Sequence, residues 1–401
     1  MVIVTVASVI ETVDTGAGGF DSAALARIDD WLREKVAAGI MPGYQLVISR
    51  RGEIAHASVH GLRDVEAGLP VVEDTLWRIY SMTKPVVAVA AMMLWEQGRF
   101  QLTDEISRWL PEFASMRVYD SEWRERPATE PIRVWHLLTH TSGLTYHFML
   151  PPDVGLTYPT WGPDTDSAEM VRQWAARPLM FEPGTHWDYS VATDVLGHLI
   201  EVISGQTLAE FIADRIAAPL GMTDLRWWDE TPGRLAAAYA TGLHRSPETD
   251  AFGRTKPPAY SGGGGLLSTA ADYQRFTASL LGHGPRLLGP RTIAFMARNH
   301  LPGGLDIPTL SLPYNRNPHM AGIGHGLGVG VWVDPIPGRV PMSPGSYYWG
   351  GAASTVFWID PVEDLSVEFY TQVVPSIEQD IRPTLASLAY AALADRCGPE
   401  R

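Results

Sequence analysis

Leu327-Gly328-Val329-Gly330-Val331-Trp332-Val333 opens the part of the sequence that decides the fold. From here on the pattern is that of strands, with further candidates at Ser354 to Ile359 and Leu365 to Thr371. At the other end of the chain, Tyr44 to Ser49 and Ile54 to Gly61 are also strand-like, and Arg51-Gly52 between them reads as a hairpin turn. A helix over Ser22 to Ala38 precedes them, with Leu25, Ile28, Leu32 and Val36 on one stripe and Gly39 as its C-cap. A last helix covers about Ile377 to Ala394, and Pro383 is expected to bend or divide it.

The middle of the chain differs. Helical runs at Val134 to Thr139, Ser167 to Ala176, Ala192 to Ser204 and Leu208 to Ala217 alternate with loops rich in Pro and Gly. One long loop, His147 to Asp166, carries Phe148, Met149, Leu150, Tyr158 and Trp161 among four prolines, too aromatic for a plain linker. Strands at both ends and helices between imply an α+β sandwich, with one antiparallel sheet built from both termini and flanked by helices. An all-helical domain over about 103–258 is then inserted into a sheet domain made of 1–102 and 259–401.

The chain of 401 residues is 45% hydrophobic and 19% charged, the composition of a soluble globular protein. A net charge of -14 offers no basic surface to neutralise phosphates, which excludes nucleic acid as an expected partner. The single cysteine, Cys397, cannot form an intrachain disulfide and fits a reducing compartment. Met1 to Ile10 is apolar, but it has no positive n-region and runs into Glu11 and Asp14. A first strand or loose arm is expected there rather than a signal peptide or a membrane span, and the expected location is cytoplasmic. Oligomeric state is not legible.

The chemistry centres on Ser81-Met82-Thr83-Lys84. A serine hydroxyl is a poor nucleophile without a base in reach, and on a helix Lys84 falls on the same face as Ser81. The helix from about Met82 to Gln97 is apolar nearly all round, so Lys84 should be desolvated and pushed towards its neutral, basic form. Taken alone, a serine cap and a surface lysine would read the same way. Tyr189-Ser190, just before a helix, adds a phenol that can shuttle a proton. Trp349-Gly350-Gly351-Ala352, at a strand edge, adds glycines that allow close approach and exposed N–H groups. His136 and His140 have helical spacing, but Leu137 stands where a zinc protease needs Glu, so no metal and no cofactor are expected. The Gly262 to Gly265 run lacks a phosphate-loop ending and reads as a close-packed turn.

With these blocks in order, the chain resembles the serine β-lactamase and penicillin-binding-protein superfamily, and most of all its class C-like (family VIII) carboxylesterases. The resemblance also rests on Leu137-Leu138-Thr139-His140-Thr141-Ser142-Gly143-Leu144 and on Gly262 through Ala270. It covers about Ile40 to Tyr370. It implies Ser81 as the acyl-accepting nucleophile, Lys84 and Tyr189 sharing the proton work, and the N–H groups of Ser81 and Ala352 as oxyanion hole. Trp349, Gly350, Gly351, Tyr158 and Trp161 are the expected substrate contacts.

Two departures from the β-lactamase pattern narrow the substrate. The Y-x-N motif reads Tyr189-Ser190-Val191, and the K-T-G motif reads Trp349-Gly350-Gly351, so the lysine that meets a substrate carboxylate is missing. Such a charge-assisted contact is worth roughly 1.5–3 kcal/mol. The expected activity is hydrolysis of short, apolar esters. An acyltransferase passing the acyl group to a secondary metabolite is the alternative, and a β-lactamase or D-aminopeptidase the weaker one.

Overall fold

The computed structural model describes residues 18–162 and 164–395. The Met1 to Ile10 segment and Cys397 lie outside them. Eight antiparallel strands form the main sheet: β1 (Gly43–Arg50), β2 (Glu53–Asp64), β3 (Leu69–Pro70), β4 (Ile323–His325), β5 (Gly330–Trp332), β6 (Tyr347–Gly350), β7 (Val356–Asp360) and β8 (Leu365–Tyr370). Their spatial order is β4-β5-β6-β7-β8-β1-β2-β3, so the two ends of the chain meet where Gln45 of β1 pairs with Tyr370 of β8. All eight residues of β1 are buried, because both faces of the sheet are covered. Helix α1 (Ser22–Ala37) lies on one face, where Asp29 meets His56 of β2 at 3.0 Å.

The expected hairpin turn is present. Arg51 and Gly52 have φ of +55° and +81°, the pair of positive angles that a two-residue turn matching the strand twist needs. Helix α1 is capped by Asp21, whose side chain accepts from the N–H groups of Ala23 and Ala24, and it ends one residue short of the expected Ala38. Two expectations change. The Leu327 to Val333 stretch is a strand only over Gly330–Trp332, because Gly326 N–H bonds back to the Val329 carbonyl and makes a turn of the intervening residues. Gly328 at its tip, with φ +88°, donates to the Leu138 carbonyl, and a Cβ there would fall 2.2 Å from Ala88. The last helix is not divided at Pro383; it runs unbroken over Glu378–Ala391.

The inserted stretch is helical, but it also carries two ribbons, Arg117–Tyr119 with Glu125–Pro127 and Tyr239–Ala240 with His244–Arg245. Its central helices sit against the long helix α2 (Thr83–Glu96), which is buried from Thr83 to Leu94. Helix α5 (Ala192–Ser204) packs on α2, and helices α3 (Val134–Leu138) and α4 (Ser167–Ala175) pack on α5 in turn. The Leu208 to Ala217 run is helical to Ile212, continues as a π-turn over Ala213–Ala217 and closes at Leu220. Helix α6 (Ala270–Leu280) covers the sheet face opposite α1, with Gln274 donating to Ser49 of β1. Among the described residues no single helix is long and apolar enough to cross a membrane.

Candidate active site

Ser81 sits in a short 3₁₀ turn, Tyr80–Met82, that leads into α2. Tyr80 ahead of it has φ +42°, an unusual conformation for a bulky side chain and one found where surrounding structure forces a sharp presentation. The turn is held from behind: the Tyr273 hydroxyl donates to the Met82 carbonyl, and the Thr83 hydroxyl accepts from Leu266 N–H. Ser81 itself stays half-buried, so its Oγ is reachable while α2 behind it is closed off.

The two predicted partners converge on that oxygen. Tyr189 donates its hydroxyl to Ser81 Oγ at 2.6 Å, and Lys84 Nζ donates to the same atom at 3.2 Å. Lys84 is 1% exposed, so the desolvated position expected of it is real. Its ammonium nitrogen also reaches the Gly263 carbonyl at 2.5 Å and the Tyr146 hydroxyl at 3.2 Å, and lies 4.5 Å from the centre of the Tyr189 ring.

Trp349 of β6 stands beside this cluster. Its ring packs on Tyr189 at 5.8 Å, on His325 at 5.2 Å and on His140 at 6.4 Å. Burial drives both histidines to the neutral form, His325 down to about 4 and His140 well below its ordinary value. Gly351 packs so closely behind the Ser81 turn that a Cβ would lie 2.5 Å from the Ile79 carbonyl. That approach carries the turn after β6, with Ala352 exposed in it, to the Ser81 end of α2.

The long loop places its aromatic residues at different depths. Tyr158 is buried, with Asp188 near its hydroxyl. Trp161 is half-buried, edge-on to Trp174 at 5.6 Å, and its indole faces the Asp194 carboxyl. Phe148 is 60% exposed and stacks on Tyr146 at 4.9 Å, which puts it at the mouth above the lysine. His136 and His140 do not converge: His136 Nδ1 accepts from Arg133 N–H and His140 Nδ1 pairs with the Ser190 hydroxyl.

Three groups were not singled out from sequence. Tyr146 follows the Leu137 to Leu144 block by two residues, which was its only signal. Asp194 reads as an ordinary acid in the first turn of α5. The Gly262 to Gly265 run is the close-packed turn expected, yet its Gly263 carbonyl is a lysine ligand that no pattern announces.

Comparison with known proteins identifies the family. The family model described as Beta-lactamase matches residues 28–391. Esterase EstB of Burkholderia gladioli is 34% identical over 388 residues, 90% of this chain and 93% of EstB. Monacolin J acid methylbutanoyltransferase of Aspergillus terreus is 28% identical over 80% of this chain and 83% of its own. Among solved structures, EstCE1, a hydrolase with promiscuous acyltransferase activity, superposes with a TM-score of 0.77 at 26% identity, covering 92% of this chain and 98% of EstCE1. The chain therefore belongs to the beta-lactamase family, a branch of the serine hydrolases whose members related to this one include both esterases and acyltransferases.

Proposed function

We propose that the protein is a carboxylesterase that hydrolyses short, apolar esters through an acyl-serine. Ser81 Oγ attacks the ester carbonyl while its proton passes to the Lys84–Tyr189 pair. The carbon–alcohol bond then breaks and the leaving oxygen takes that proton. Water repeats the sequence on the acyl-serine and releases the acid. The N–H groups of Ser81 and Ala352 are assigned to the developing oxyanion; one such donor is worth roughly 10²–10³ in rate. The observation that carries the ester assignment is the wall at Trp349. The rings packed on it are Tyr189, Tyr348 and two histidines held neutral by burial, so none of these rings presents a charge to an anionic group. Similarity to EstB, by name an esterase, supports the same reading.

In the test, a short p-nitrophenyl ester is turned over by the parent, and Ser81→Ala removes that turnover while the melting temperature holds. Unchanged turnover in the variant would overturn the assignment. Acyl transfer is the second reading, favoured by the similarity to the methylbutanoyltransferase. Product analysis with a competing alcohol separates them: nearly pure free acid supports hydrolysis, and a dominant new ester supports transfer.

A further inference from the structure

A buried lysine with no acidic partner against it needs some other device to hold it. Among the described residues no carboxylate lies within ion-pair distance of Lys84, and its Nζ is instead gripped by the Gly263 carbonyl. That carbonyl belongs to a turn with an anchor of its own. Asp194 Oδ1 accepts from the Ser261 hydroxyl at 2.6 Å and from Gly263 N–H at 2.9 Å. A Cβ on Gly263 would fall 2.3 Å from Asp194 Oδ2 and 2.8 Å from the Tyr146 hydroxyl, so carboxylate, turn and phenol share one crowded pocket. On its far side Asp194 meets the indole of Trp161. Burial pushes the Asp194 carboxyl above its ordinary value, and the Ser261 hydroxyl, Lys84, the Gly263 amide and the Trp161 indole pull it back towards the carboxylate.

We propose that Asp194 is a positioning residue for the reaction. Its carboxylate fixes the Ser261–Gly263 turn whose carbonyl holds Lys84 against Ser81, and supplies the buried negative charge that the ammonium lacks in direct contact. The proposal rests on the reading of Ser81 as nucleophile and Lys84 as its proton partner. Four groups face Asp194: Lys84 from α2, Tyr146 from the segment after α3, Ser261 from the glycine turn and Trp161 from the long loop. Tyr189 lies behind Tyr146 at 5.2 Å between ring centres. Burial, then Asp194 and Tyr189, hold the Tyr146 phenol protonated, far above its ordinary range.

Two substitutions separate the two parts of this role. Asp194→Asn keeps an oxygen that accepts from Ser261 and Gly263 but removes the charge. A carboxylate beside an ammonium favours the protonated form, and near a phenol it disfavours the phenolate. Losing it therefore moves the acid limb of the rate profile to lower pH whichever member of the cluster takes the proton. Asp194→Ala removes both charge and anchor. The readout is the rate at which a fluorophosphonate probe modifies the protein, followed by intact mass across pH. The parent should be labelled, and Ser81→Ala should not. Asp194→Asn should label within about tenfold of the parent at its optimum, with the acid limb lower by about half a pH unit or more. Asp194→Ala should label about a hundredfold more slowly.

Because Asp194→Ala could disturb α5, Ser261→Ala serves as a milder variant. It removes one hold and leaves the carboxyl in place, so it should slow labelling by less than Asp194→Ala does. An Asp194→Asn profile that superimposes on a labelled parent overturns the proposal and leaves the nucleophile standing. A parent that takes no label at Ser81 overturns both.

Discussion

At the scale of single residues the site is a set of hydrogen bonds aimed at one oxygen. Tyr189 holds the shortest of them, 2.6 Å to Ser81 Oγ, and its ring also touches Trp349 and Lys84. Tyr189→Phe keeps those ring contacts and deletes only the hydroxyl. We expect kcat on a short p-nitrophenyl ester to fall by about 10²–10⁴, the range for a positioned proton-transfer group, with the melting temperature unchanged. A fall of less than threefold would leave the proton work to Lys84 alone. That Ser81, Lys84 and Tyr189 would come together was legible from the order of the motif blocks and the resemblance they carry, since each motif alone says little. Tyr146, Asp194 and the Gly263 carbonyl were not. Their roles come from which loops the fold lays over Lys84, and neither periodicity nor spacing along the chain carries that information.

At the scale of elements, helix α5 was legible to the residue, since its apolar face ends at Gly205, whose φ of +75° caps it. Strand β4 and the two ribbons of the inserted stretch were missed because strands of two or three residues, several of them polar, give no repeat to read. Strand β8 holds a conflict of a different kind. Glu368 is buried and its Oε1 accepts from the Thr277 hydroxyl of α6 at 2.5 Å, while burial pushes its carboxyl up to about 7. The folded chain therefore binds this proton more tightly than the unfolded chain, whose ordinary value is 4.5. The resulting stability is complete below pH 4.5 and is lost as pH rises through about 7. Glu368→Gln, neutral at every pH, should raise the melting temperature by a few degrees relative to the parent at pH 8 and have little effect at pH 5. A difference that is the same at both values would remove the carboxyl from the pH response.

At the scale of the whole molecule, the net charge of -14 acts on what approaches the site. A field of that sign slows anionic substrates over distances that salt screens, about 8–10 Å at physiological strength. We expect kcat/KM for an ester with a remote carboxylate to rise between 10 and 300 mM salt, and that of a neutral ester of equal size to stay constant. A parallel response of both would place the salt effect on the protein rather than on the encounter. The sheet has another consequence, for the order in which the protein is made. Residues 45 and 370 are partners across the seam, while the parts of the site, from Ser81 to Ala352, are all encoded between β1 and β8. Contacts this remote in sequence form slowly, since the intervening chain must be brought together before they stabilise anything. A growing chain thus carries Ser81 long before it carries the strand that completes the sheet. Synthesis through β8 precedes closure, and catalytic competence should appear as a late, all-at-once event in refolding rather than accumulate domain by domain.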